Sequence, residues 1–326
     1  MTYRAIDARH RRVLAAALAL LTLTAVPALA ADYPDHPITG IVPFTTGGGS
    51  DLMARLAANQ LVNELGKPVI VENKPGAGGN IGIGLVSQSK ADGYTLLFCS
   101  TAMTQNPALY KNLGWNPDEL EAVAQVGAAD QVMVVNIARF PKGNLQDFIA
   151  FLKQNPGKLN FAAQDSGLVA NLFRTASGTQ FEIINYAGGG EAALSVMNGE
   201  TDSQTMVYLS AQGGIKAGKT RALAVTGPKR LPQLPDVPTT TEAGLPNYMP
   251  HSYFGVFVRK GTPRAIINAL NAALNKIGDT PDLVGKMAGF GYTPIKDTPE
   301  EFDRFFRSDI ARWKKVVAES GIKTLD

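Results

Sequence analysis

Downstream of the first thirty residues, short apolar runs alternate with segments whose apolar positions recur at the helical period, and a Gly-rich or small-residue turn separates each pair. The clearest case begins with Ile38 to Phe44, which predicts a strand. Thr45 to Ser50 follow as a turn, and Leu52, Leu56 and Leu65 then predict a helix from Asp51 to Leu65. Ser50 can cap that helix and Gly66 can end it. A second unit pairs a strand at Val69 to Glu72 with the turn Asn73 to Asn80 and a helix through about Ser89, ahead of a strand at Tyr94 to Cys99. This alternation predicts βα units and a mainly parallel sheet.

The same grammar continues downstream. Val132 to Asn136 predicts a strand that opens a second lobe. A helix at Leu145 to Gln154 follows, then a strand at Leu159 to Ala163, a helix from Gly167 to Ser177, a strand at Ile183 to Tyr186, the turn Gly188 to Gly190 and a helix from Glu191 to Asn198. After Arg221 to Thr226, prolines at 228, 232, 235, 238, 246 and 250 exclude regular helix and read as a connection crossing back between lobes. Tyr253 to Val258 predicts a strand, and Pro263 starts a helix to about Ile277. The last helix, Pro299 to Ser320, carries Phe302, Phe305, Phe306, Ile310 and Trp313 on one face, a packing stripe rather than a binding box.

The N-terminus changes the charge picture. Arg4, Arg9, Arg11 and Arg12 precede an apolar run from Val13 to Val26 and then Ala28-Leu29-Ala30, the pattern of a secretory leader cleaved after residue 30. That leader holds four arginines and one aspartate of the 31 basic and 28 acidic residues, leaving 27 of each. The remaining 296 residues are formally neutral, which removes any case for a nucleic-acid partner. That length favours two lobes over one. The single Cys99 excludes an intrachain disulfide and fits a buried small hydrophobe.

Four turns place small residues between a predicted strand and a helix start: Gly47 to Ser50, Gly76 to Asn80, Asp165 to Gly167 and Gly188 to Gly190. Each can offer backbone N–H groups at the positive end of a helix, a site for an anion, at the carboxyl ends of strands where α/β sheets bind ligands. A pair of turns from each half of the chain would form a carboxylate clamp. No nucleotide-binding signature, GxSxG elbow or metal-ligand spacing is present, so neither catalysis nor a cofactor is expected. Outside the leader the histidines are His36, expected to be solvated, and His251, which either lines the cleft or packs at the crossing. Asp51 either braces its own helix or contacts a ligand.

Tyr33-Pro34, the run Ile41-Val42-Pro43-Phe44-Thr45-Thr46-Gly47-Gly48-Gly49-Ser50-Asp51 and the run Val71-Glu72-Asn73-Lys74-Pro75-Gly76-Ala77-Gly78-Gly79-Asn80-Ile81-Gly82 resemble the substrate-binding proteins of tripartite tricarboxylate transporters, the Bug-type receptors. Asp92-Gly93-Tyr94-Thr95-Leu96, Asn106-Pro107-Ala108-Leu109-Tyr110, Leu234-Pro235-Asp236-Val237-Pro238-Thr239 and Gly261-Thr262-Pro263 extend the resemblance along the chain. It implies an α/β periplasmic binding protein of type II: two Rossmann-like lobes with a ligand cleft between them. The expected division is a signal peptide at 1–30, a first lobe at 31–128 completed by 251–326, and a second lobe at 129–250. The implied function is capture of a small carboxylate for the transporter's membrane subunits by a periplasmic monomer. On matching positions the ligand contacts are Phe44, Gly48, Gly49, Ser50, Asp51, Gly78, Asn80 and Ser100 after the third strand, with Ser166, Gly167, Tyr186, Gly188 and Gly189 from the second lobe.

Two departures bear on the ligand. Where such proteins usually have Thr-Ser-Ser-His at the helix start after Gly167, this chain has Leu168-Val169-Ala170-Asn171, and a commonly acidic position after Asp202 is Met206. The expectation is a preference for an apolar or aromatic carboxylate, unless water or neighbouring side chains compensate. Alternative readings are a ligand sensor for a signalling partner and an exported α/β enzyme, for which Asp51 and His251 would be the reacting pair.

Overall fold

The computed structural model describes residues 33–163, 167–186, 188–320, 322, 324 and 325. The chain divides into a short unit ending at Asp35 and a unit from His36 to Asp326, which contains every element described below. The expected leader, residues 1–30, lies outside the described residues.

In the first half, β1 (Ile38–Val42) lies between β2 (Val69–Asn73) and β3 (Thr95–Ser100), all parallel. Helix α1 (Gly49–Leu65) joins β1 to β2, α2 (Asn80–Ser87) joins β2 to β3, and α3 (Ala102–Leu109) follows β3. Gly48, extended at φ −77° and ψ 169°, starts α1 without a side-chain cap; Gly66, left-handed at φ 72°, ends it. The helix therefore begins two residues earlier than the sequence predicts, and Ser50 lies inside it rather than at its cap. Ser100 likewise is the last residue of β3, not the residue after it.

Strand β4 (Leu120–Asn136) spans 17 residues and serves both halves. From Leu120 to Asp130 it pairs antiparallel with β9 (His251–Arg259), which itself pairs antiparallel with β3. From Gln131 onward it pairs with β7 (Ser203–Val207) and β8 (Thr220–Val225). Beyond β7 lie β5 (Asn160–Ala163) and then β6 (Glu182–Asn185), both parallel. The second half's helices are α4 (Leu145–Gln154), α5 (Leu168–Ser177), α6 (Gly189–Asn198) and α7 (Tyr208–Lys216). After β9 come α8 (Arg264–Asn275), α9 (Pro281–Gly289), the short β10 (Thr293–Pro294) on β4, and α10 (Pro299–Ser320).

The sheet is thus mixed rather than mainly parallel. A strand that returns after a crossing enters from the opposite end, so β9 must run against β3, and β4 runs against both its neighbours and the crossing returns.

Two aromatic and aliphatic cores follow. Phe302 and Phe306 of α10 are fully buried against Tyr253 and Phe257, as the stripe predicts, with Leu97, Cys99 and Met103 beside them. In the other half Phe140, Phe148, Phe161, Phe173, Phe181 and Tyr248 pack with Met133 and Val135. Cys99 is fully buried, and burial pushes its thiol up to about 12.

Close packing fixes some glycines. A Cβ on Gly40 would lie 2.3 Å from the ring of Phe98, itself fully buried. Gly40→Ala is therefore expected to cost about 1–3 kcal/mol through overpacking, read as a lower denaturation midpoint at unchanged slope in a urea melt; an unchanged midpoint would show that the β1–β3 layer has slack.

Candidate functional site

The carboxyl ends of β1, β2 and β3 share one edge of the sheet, because the three strands are parallel. Three predicted site segments therefore meet there: Phe44 to Asp51, Gly78 to Asn80, and Ser100. Leu52 donates to the carbonyl of Gly48, so the N–H groups of Gly49, Ser50 and Asp51 have no carbonyl partner within α1. Those donors lie at the positive end of a 17-residue helix, an arrangement that can serve as an anion cradle.

Asp51 does not point into that cradle. Its carboxylate accepts from the Gly47 N–H at 3.0 Å, from Arg55 Nε at 3.1 Å and Nη2 at 3.0 Å, and from Asn73 Nδ2 at 3.0 Å. Asn73 Nδ2 also donates to the carbonyl of Phe44 at 2.9 Å. Four donors saturate the two oxygens, so Asp51 ties turn, helix and β2 together. Burial alone would raise its pKa; the bonds from Arg55, Gly47 and Asn73 outweigh it and hold the carboxyl below the ordinary aspartate value.

The second turn is built the same way. Gly76, Ala77, Gly78 and Gly79 all have positive φ, which coils the backbone tightly. The Gly78 carbonyl accepts from Asn106 Nδ2 at 3.0 Å, and Asn80 Oδ1 accepts from Asn106 Nδ2 at 2.8 Å and Trp115 Nε1 at 2.9 Å. The Asn80 oxygen is thereby engaged with α3 and Trp115 behind the turn. The half-buried Phe44 ring sits beside Gly79, where an added Cβ would reach it at 3.4 Å.

In the second half, β5, β6 and β7 also point their carboxyl ends to one edge. Gly167, left-handed at φ 81°, starts α5, and its carbonyl accepts the Asn171 N–H and Asn171 Nδ2. Ser166 lies outside the described residues. Tyr186 follows β6, donates its N–H to Ala163 at 2.8 Å and rests half-buried on the core. Gly188 is the extended residue before α6, and Gly189 opens the helix, two residues earlier than predicted.

The two sets of turns face each other. A Cβ on Gly188 would come 4.0 Å from Thr45 Oγ1, and one on Gly49 would come 4.0 Å from Leu209 Cδ2. Thr45 and Leu209 were not foreseen as site residues. Leu209 belongs to α7, which starts directly after β7; the sequence singles out Met206 there, but the strand-to-helix change at Val207 carries no glycine to mark it.

The residues expected to make the cleft apolar are engaged elsewhere. Met206 is buried with Val132, Ala192 and Val196 under α6 and α7. Leu168 is buried against Ala108, Leu109, Trp313 and Val317. Asn171 is bonded to Gly167 and Arg174 within its own helix. His251 opens β9 at the crossing, its Nε2 3.7 Å from Asp309 Oδ1 and its ring centroid 6.0 Å from that of Phe305. Burial and the Arg312 charge lower its pKa against the pull of Asp309. An Asp51 carboxylate with four donors has no lone pair to spare as a general base, which weakens the Asp51–His251 pair as reacting groups.

A family model described as the tripartite tricarboxylate transporter family receptor matches residues 53–322. The chain is 36% identical over 310 residues to protein BugT of Bordetella pertussis, covering 92% of this chain and 94% of the relative. Among solved structures it is similar to Rpa4515 of Rhodopseudomonas palustris with adipate (TM-score 0.85, 30% identity, 90% of this chain and 100% of that one) and to the periplasmic binding protein BugD (0.82, 28%, 90% and 100%). MatC of Rhodopseudomonas palustris with bound malate aligns at a TM-score of 0.81 with 28% identity over 87% of this chain and 100% of that one. The expected α/β binding-protein fold of two lobes is thereby met.

Asp51→Asn is expected to destabilise the protein by about 1–3 kcal/mol at neutral pH, since it removes charged acceptance from a buried network. Because the folded pKa is depressed, the carboxylate's contribution is present above the ordinary value of 3.8 and is lost as pH falls through the lowered folded value. Denaturant melts of both proteins across acid pH should show the difference shrinking in that window; a difference independent of pH would contradict the ionised brace.

Proposed function

Because the chain belongs to the tripartite tricarboxylate transporter receptor family, we propose that it captures a small carboxylate between two lobes in the periplasm and presents it to the transporter's membrane subunits. The first lobe runs from residue 31 to 128 and is completed by 251–326; the second is 129–250. The observation that carries this reading is the opposition of glycine-started helices: the α1 start, with Thr45 and Gly49, faces Gly188 at the α6 start and Leu209 of α7. Each helix start supplies backbone donors and partial positive charge, so a carboxylate placed between them is held from both sides.

Backbone N–H groups of Gly49, Ser50, Gly189 and the α5 start hold the anion, with Gly48, Gly78, Gly167 and Gly188 allowing the close approach and Phe44, Ser100 and Tyr186 bounding the space. Asp51 and Asn80 act by fixing the turns. The ligand leaves chemically unchanged, and one chain supplies both faces of the cleft, so a monomer suffices. Aliphatic dicarboxylates are the first candidates. Adipate and malate are the ligands named for two related structures, and aromatic carboxylates remain the alternative that the departures at Leu168 to Asn171 and Met206 suggest.

The test is a thermal-shift and calorimetry screen of protein starting at residue 31 against malate, succinate, adipate, citrate, benzoate and glutamate. A ligand that binds only the folded state adds about 2.7 kcal/mol at a hundredfold excess over Kd, a shift of several degrees. A selective shift with aliphatic dicarboxylates supports the proposal; a shift with benzoate alone restores the aromatic preference; no shift with any carboxylate overturns the receptor reading.

A further inference from the structure

Leu168 is an apolar residue at the first position of α5, and it is fully buried in a cluster to which its own half of the protein contributes little else. Its partners are Ala108 and Leu109 of α3 and Trp313 and Val317 of α10, with Leu172, one turn along α5, packed partly against the same group. Both partner helices belong to the half built on β1, β3 and β9, where α10 places Phe302 and Phe306 against Tyr253 and Phe257. The neighbours of Leu168 along the helix behave differently. Val169, Ala170 and Phe173 pack inward with Met133, Phe148 and Phe161 of the second half. Leu168, with partial support from Leu172, thus reaches across to the other lobe's surface, while Val169, Ala170 and Phe173 serve the helix's own core.

This contact forms only when the lobes are together. Leu168 follows Gly167 at the start of one of the helices assigned to the anion, so its side chain couples the position of that helix start to lobe closure while carrying no polar side-chain atom to offer a ligand.

Resting on the two-lobed receptor reading, we propose that Leu168 is an affinity-determining residue: an apolar latch that seats against Trp313, Val317 and Leu109 and holds the lobes closed independently of which carboxylate is bound. Apparent affinity equals the intrinsic affinity of the closed form scaled by the fraction of protein in that form. Burying a leucine side chain shifts such an equilibrium by about ten- to a hundredfold. Leu168 therefore multiplies the affinity for every ligand by one common factor and leaves the ratios between ligands unchanged.

The experiment compares wild type with Leu168→Ala, Leu168→Met and Leu152→Ala by calorimetry with malate, adipate and succinate, and by small-angle scattering with and without ligand. Leu152→Ala removes a buried leucine of the same size from α4 in the second lobe's own core, away from the helix starts assigned to the anion, so it controls for general loosening. Leu168→Ala is expected to weaken all ligands by about tenfold or more in equal proportion and to enlarge the radius of gyration of the ligand-free protein. Leu168→Met, which keeps the apolar volume, restores both, and Leu152→Ala changes neither.

Unequal losses among the ligands would overturn the latch by showing direct ligand contact. Unchanged affinities and radius, or equal effects from Leu152→Ala, would overturn it as well. Should none of the carboxylates bind, the scattering comparison still decides the latch while the receptor reading falls on its own.

Discussion

A single strand shared by two sheets is the constraint on which the molecule depends. β4 exchanges partners between Asp130, opposite His251, and Gln131, opposite Val207. All the crossings are stitched at that point. Gln131 donates its N–H to Thr226 Oγ1 at 2.8 Å and its amide to Ser252 Oγ at 2.9 Å, while Thr226 donates its N–H to Gln131 and its hydroxyl to the carbonyl of Pro250. Gly227 is pressed against the carboxyl of Asp130, which leaves no space for a side chain. These bonds join adjacent strands near one line, between two halves that each have a core of their own.

Facing turns hold an anion well only if they are already in place, since ordering a loose loop on binding would consume the interaction energy. The polar side chains around the cleft serve that need. Asp51 gathers Gly47, Arg55 and Asn73, and Asn80 gathers Asn106 and Trp115, so both side chains set the shape of the backbone at their turns. Division of labour follows: side chains brace the turns from behind, and backbone N–H groups face forward.

Much of the fold is legible in the sequence where local chemistry is strong. The β1–α1 unit, the coiled turn before Asn80 and the aromatic stripe of α10 are all written in residues whose structural preference is unambiguous. The first eleven residues of β4 are not. Leu120 to Asp130 is rich in Ala and Gly, buried on both faces and lacking both alternation and a β-branched run. The reason lies in tertiary packing: Gly127, for example, is crowded by Met287 and the Thr293 carbonyl, contacts that no local window contains. α7 escaped for a similar reason, beginning without a cap residue at Val207, and α3 carries Pro107 within it. At the sheet edge the positions of the turns were readable but side-chain directions were not, which is why Asp51 reads equally as brace or ligand contact until its four hydrogen bonds are known.

That distinction explains how an apolar segment can start a helix assigned to an anion. The N–H groups in the first turn of a helix point outward along its axis whatever the side chain, so replacing polar residues by Leu168, Val169 and Ala170 leaves the backbone donors of α5 untouched. The side chains are then free to take other duties: Val169 and Ala170 fill the second core, and Leu168 fills the space against Trp313. Loss of hydroxyls at such a helix start therefore removes side-chain partners while keeping the backbone ones. What the substitution to Leu168 adds is an apolar contact between α5 and the helices α3 and α10.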